Sequence, residues 1–209
     1  MNTILGHAFT KLSAAGAEII EIDDTEFNSD LSFKRLNVNN FEFRPLFERY
    51  LAELGSIAPV KTVKAYVEAG KYPEKTMGDY LANAVKWKAP LEMKEYHAAL
   101  VYGYEFRAKV LKMMSDRRID AFAYPAQKRP SLRLTEATRP ERNGVFASAL
   151  GFPAVDIPAG FTAATIDAPA GIPVGLDLMG APFSDASLLG LAGAVEQILA
   201  ARRMPPPTR

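Results

Sequence analysis

At 209 residues the chain is long enough for one substantial domain with a real core. Its 25 basic and 24 acidic side chains leave a net charge of +1, without the surplus of lysine and arginine that nucleic-acid binders use against phosphates. The absence of cysteine excludes disulfides, thiolate nucleophiles and zinc–thiolate sites. The two histidines, His7 and His97, lack ligand-like spacing, so neither a metal nor a cofactor is expected.

The chain opens with Leu5, Ala8, Leu12 and Ala15 on one helical face over residues 3–15, and Gly16 supplies a left-handed stop. Ile19, Ile20 and Ile22 follow as a short β-branched run, which predicts a strand over 17–22 covered on both faces. Phe43, Leu46, Phe47, Tyr50, Leu51 and Leu54 predict a helix that Gly55 ends. Pro45 must sit in its first turn or kink it, because proline has no N–H to donate. Short helices are expected over 61–69 and 76–88. A longer one over 91–116 is expected to face inward through Tyr96, Leu100, Tyr104, Leu111 and Met114.

IDAFAYP, residues 119–125, reads as a strand ended by proline. The polar continuation to Gly144 has no periodicity, and loops this long are usually functional or disordered. Its Gln127, Lys128, Arg129, Arg133, Arg139 and Arg142 form a set suited to an anionic or amide ligand, although charged loop residues are more often simply solvated. A short helix near 143–150 and strands near 153–158 and 173–180 come next. The last helix starts at Ser184, whose hydroxyl is expected to cap it, with Phe183 and Leu188 at the spacing of a hydrophobic staple. Leu188, Leu191, Ala192, Val195 and Leu199 continue its apolar stripe.

Chemistry is sparse. The glycines make neither a dinucleotide fingerprint nor a phosphate loop, and no nucleophile elbow surrounds any serine. RNGVFASALGFPAVDIPAGF, residues 142–161, contains one nucleophile, Ser148, with no histidine or lysine near it. Asp156 and Asp177 interrupt apolar strands that are candidates for neighbours, and paired carboxyls can do acid–base work. The plainer expectation is that both are solvated strand residues. No apolar run is long enough to span a bilayer, and the first residues lack the basic and apolar segments of a leader, which reads as cytoplasmic.

The order of segments nevertheless resembles the C-terminal part of the amidase signature family. IDAFAYP is followed by a loop, then by Asn143, a small-residue helix, Gly151 to Ala154, and a strand ending at Pro158 to Gly160. Pro173 to Leu176, Gly180 and a helix holding Leu188 and Leu189 complete the run. LSAAGAEIIEID and EFRPLFERYLAEL are similar to upstream family segments, so the resemblance covers nearly the whole chain. It implies an α/β fold, the C-terminal part of the amidase signature fold, with a mixed β-sheet flanked by helices on both faces. The expected organisation is one partial amidase domain over 1–209, with 204–209 an extended tail.

The resemblance also implies amide C–N hydrolysis without a cofactor. In the family a serine attacks the carbonyl, a second serine in a cis peptide relays the proton, and a lysine is the base. Those motifs precede the region matched here, and the chain has no glycine/serine-rich segment. Lys86, in Ala84-Val85-Lys86, is a three-letter echo of the lysine motif inside a helical pattern. No catalytic residue is therefore assigned. The chain is expected to be a C-terminal portion, whether a gene fragment, an internal start or half of a split enzyme, and a missing leader then says nothing of location.

Ligands gather outside strand ends in open α/β sheets, so Tyr124, Ala126, Gln127, Arg142 and Asn143 are the expected substrate-binding wall. The implied partners are a small amide substrate and a missing N-terminal half or a second copy, with no nucleic acid and no membrane. The alternative is a non-enzymatic structural or interaction protein, or the non-catalytic half of a split amidase.

Overall fold

A computed structural model describes residues 1–131, 133 and 142–204. Arg139 of the basic loop set, and all but Met204 of the expected tail, lie outside the described residues. In chain order the elements are α1 (Asn2–Ala14), α2 (Ser29–Leu36), α3 (Asn39–Glu53), α4 (Val63–Glu68), α5 (Glu74–Lys86) and α6 (Lys94–Arg117). Then come β1 (Phe122–Pro125), α7 (Val145–Leu150), β2 (Ala154–Phe161), β3 (Pro173–Met179) and α8 (Asp185–Leu199). The chain divides into two compact units, Met1–Phe33 with Phe106–Arg209, and Lys34–Glu105.

The first unit holds a three-stranded sheet in the order β1-β3-β2, antiparallel at both pairings. Successive side chains of a strand point to opposite faces. Val174, Leu176 and Leu178 of β3 therefore face one way, joined by Ile157 of β2, and all are buried. They pack with Leu5, Ala8 and Leu12 of α1 and with Leu188, Ala192, Val195 and Leu199 of α8 in one apolar core. The opposite face carries Phe122 and Tyr124 of β1, Met179 and Asp177 of β3, and Asp156 of β2. Phe146 of α7 meets Tyr124 edge-on, and Phe27 lies 5.5 Å from the rings of both Phe106 of α6 and Phe122. Helices thus flank the sheet on both faces.

The second unit is helical. Val63, Leu81 and Ala84 form its small buried cluster, with partly buried Phe43, Phe47, Tyr66, Tyr72 and Tyr80 packed against it. Thr62 caps α4, its hydroxyl accepting from the Ala65 N–H at 3.1 Å.

Several local expectations give way to tertiary geometry. Residues 17–22 belong to no strand. The buried stripe of α6 is Tyr102, Phe106, Val110 and Met114, whereas Tyr104 is exposed; the helix has apolar residues all round, and packing selects the stripe. Pro45 lies well inside α3 rather than in its first turn. Pro158 does not end pairing, because β2 is an edge strand and absorbs it with a register shift between Pro158 and Gly160. The Ser184 hydroxyl donates to the Ala181 carbonyl at 2.7 Å instead of capping α8, and Phe183 is fully exposed, so no staple forms. α2 carries no clear signal in its short sequence.

Candidate functional site

The site grows from the C-terminal end of β1. Beyond Pro125, the Ala126 N–H donates to the Gly175 carbonyl at 3.2 Å, which keeps the chain beside β3. The Ala126 carbonyl accepts from the N–H groups of Asn143 at 3.1 Å and Gly144 at 3.4 Å. The Asn143 side-chain amide donates to the Pro125 carbonyl at 2.9 Å, and Gln127 bridges Arg142 in antiparallel fashion. Residues 125–127 and 142–144 are thus tied together, although the polar stretch between them is long. Four of the five residues expected at a substrate wall meet through their own backbones.

Their roles differ. The Asn143 side-chain amide holds the turn. Arg142 is exposed. Tyr124 stands on the sheet face beside Asp177, its directly opposite residue on β3. Burial first, and the Asp177 charge second, push its phenol well above the ordinary range. Ala126 and Gln127 line a cavity of about 240 Å³, together with Arg129, Asp156, Pro158 and Gly175. The Gln127 side-chain oxygen is buried there without a hydrogen-bond partner. Tyr124, Arg142 and Asn143 do not line it.

The rest of the basic loop set is dispersed. Lys128 pairs with Asp30 at 2.7 Å, and Arg133 pairs with Asp167.

Asp156 and Asp177 are directly opposite one another on β2 and β3, so their side chains share a face. The plain expectation of two solvated carboxylates fails for Asp177, which is 8% exposed. Burial, then the charge of Asp156 and the hydrogen bond between the two, push the Asp177 carboxyl up to about 6. Burial also raises Asp156, while the hydrogen bond from Asp177 acts to lower it. The two directions describe one arrangement, in which Asp177, when protonated below about pH 6, donates a hydrogen bond to Asp156. Tyr124, Asp177 and Asp156 make a polar row across three strands. Glycine makes the room for it. A Cβ on Gly175 would overlap the Asp156 carboxyl, and one on Gly144 would lie 3.3 Å from the Asp177 Oδ2. The alternation of PVGLDLM already placed Asp177 opposite its leucines; only pairing register showed that Asp156 stands beside it.

This arrangement can hold a proton and hydrogen-bond a polar ligand. It lacks an activated nucleophile. Ser131 lines the cavity, but among the described residues no lysine or histidine does. The Ser148 hydroxyl donates to the carbonyl of Val145 within its own helix. Lys86 is exposed in the last turn of α5, as its helical pattern predicts.

No family model matches the sequence. Mandelamide hydrolase of Pseudomonas putida is 33% identical over 124 residues, 56% of this chain and 22% of that protein. Fatty acid amide hydrolase of Arabidopsis thaliana is 41% identical over 59 residues, 28% of this chain and 9% of that protein. The peptide amidase of Stenotrophomonas maltophilia superposes with a TM-score of 0.74 at 22% identity, covering 97% of this chain and 40% of that one. The chain resembles part of these amide hydrolases and spans less than half the length of each of them. Its fold matches that of part of the peptide amidase. Among its described residues no helix is long and apolar enough to cross a membrane.

Proposed function

We propose that this chain forms the C-terminal part of an amide hydrolase. It supplies sheet, flanking helices and one wall of the substrate pocket, while the attacking serine, the relaying serine and the lysine base come from polypeptide outside it. The observation that carries this reading is the superposition of nearly the whole chain on two fifths of peptide amidase. The cavity supports it: the side chains of Gln127 and Asp156 offer hydrogen-bonding groups to a polar ligand, and neither is a nucleophile. Within this reading Ala126 and Gln127 face the substrate, whereas Tyr124, Arg142 and Asn143 hold the wall in place.

The test is activity with and without the remainder of the fold. The purified chain should neither hydrolyse mandelamide nor take up a serine-directed fluorophosphonate. Joined to a segment carrying the family's paired serines and lysine, it should do both. Labelling of the chain alone, abolished by replacing one of its serines, would place the nucleophile here and overturn the reading.

A further inference from the structure

Two acceptors in the cavity at the end of β1 lack what they need. The Gln127 side-chain oxygen is buried without a partner, and an unpaired buried acceptor is destabilising until a donor reaches it. Asp156 faces the same space and is exposed, so its carboxyl is open to a ligand. That carboxyl lies directly over Gly175, where a Cβ would overlap both of its oxygens. A glycine floor therefore leaves the room that the acid occupies. A carboxylate has about four acceptor sites, more than the hydrogen bond from Asp177 uses. Among the described residues no cation pairs with Asp156. Arg129, also on the wall, has an interaction of its own within the chain but makes no ion pair with this acid.

These groups select one kind of ligand. A second carboxylate or a phosphate would set acceptors against acceptors. A hydroxyl or a neutral amide could satisfy the glutamine oxygen but would leave the Asp156 charge unmatched. An ammonium group does both, with three N–H donors and a full positive charge. Size points the same way. The cavity, at about 240 Å³, is smaller than the roughly 300–1,000 Å³ pockets that hold drug-sized ligands, and Pro130 and Pro158 give it apolar walls. A short alkyl chain suits them. A divalent metal suits the site less, because calcium takes about six to eight oxygen ligands and no described group of three or more ligating side chains could hold one.

We infer that this cavity binds a primary ammonium group on a short alkyl chain, with Asp156 matching its charge and the Gln127 side-chain oxygen accepting one of its N–H bonds. That the ammonium belongs to the acyl portion of an amide substrate rests on the function proposed above; the binding itself rests on the cavity.

The test titrates the isotope-labelled full chain with butylammonium chloride near neutral pH. Butanol is the control for shape, and tetramethylammonium chloride is the control for charge without N–H donors. The backbone amide resonances of Gln127 and Gly175 should shift saturably with butylammonium and with neither control. Asp156→Asn should weaken binding roughly tenfold or more, as loss of a charged hydrogen-bond partner does. Gln127→Leu, beyond the strand end, should weaken it about threefold or more and leave the sheet resonances in place. An equal response to either control, a response that does not saturate, or unchanged affinity in either variant would overturn the inference. Hydrolysis is not the readout. Saturable butylammonium binding by a chain whose reconstituted enzyme is inactive would keep the site and remove only its link to a substrate.

Discussion

One strand pair builds two unlike surfaces from alternate residues. On one face of β3, Val174, Leu176 and Leu178 are sealed between α1 and α8. On the other, Asp177 lies between Tyr124 and Asp156, with glycines rather than large side chains next to the carboxyls. The first face removes apolar area from water and holds the unit together. The second gives up packing for a buried acid and a cavity. The pleat separates a sealed apolar face from a polar one without any change of element.

The contrast can be broken from either side. Leu176→Ala empties a fully buried site in the apolar core and should cost about 3–4 kcal/mol in urea unfolding. Gly175→Ala, one residue away on the other face, should cost about 2–3 kcal/mol, because its Cβ must displace the Asp156 carboxyl. That cost should shrink in an Asp156→Ala background, while the cost of Leu176→Ala should not. A double-mutant cycle checks both.

The acid face should also set the pH dependence. Asp177 is raised from 3.8 to about 6, so between these values the folded chain binds more protons than the unfolded one. The stability tied to the proton is therefore present at low pH. It is lost as pH rises from about 4 to about 6, by about 2–3 kcal/mol, and then levels. Asp156 is raised as well and acts in the same sense. Asp177→Asn keeps a donor toward Asp156 without the titration. It should flatten the profile and stabilise the chain by about 2 kcal/mol near about pH 8. A profile that keeps its slope in this variant would remove the shared-proton arrangement.

The smallest effect is expected in the helical unit. Lys86→Ala removes an exposed cation from the last turn of α5 and should change stability by no more than about 0.5 kcal/mol. In a reconstituted enzyme it should leave the rate within a few-fold, whereas loss of a true base costs about 10² or more. A loss of that size, with folding intact, would make Lys86 catalytic.

Much of this was legible in the residues. Leu5, Ala8 and Leu12, and Leu188, Ala192, Val195 and Leu199, repeat at helical spacing, and the same residues are buried. Gly16 ends α1 in a left-handed conformation, as a residue without a Cβ can. The order of segments around Asn143, Gly151 to Ala154 and Pro173 to Leu176 carried the resemblance to the amide hydrolases, although no single piece did. The site was half legible. Strand-end logic reached Ala126 and Gln127, but it also included Tyr124, Arg142 and Asn143, which do not line the cavity.

Sequence by itself determined the periodicities, because a helical stripe or an alternating strand follows from the geometry of one element. It could not decide relations between elements. Whether Asp156 meets Asp177 depends on β-register, and a one-residue slip would send one of them to the apolar face. Which stripe of α6 is buried depends on what packs against it, since the helix offers apolar residues on several sides. Whether the isoleucines after α1 form a strand depends on a partner backbone. β-propensity is a preference for a pleated, half-covered surface, and no described residue gives them one.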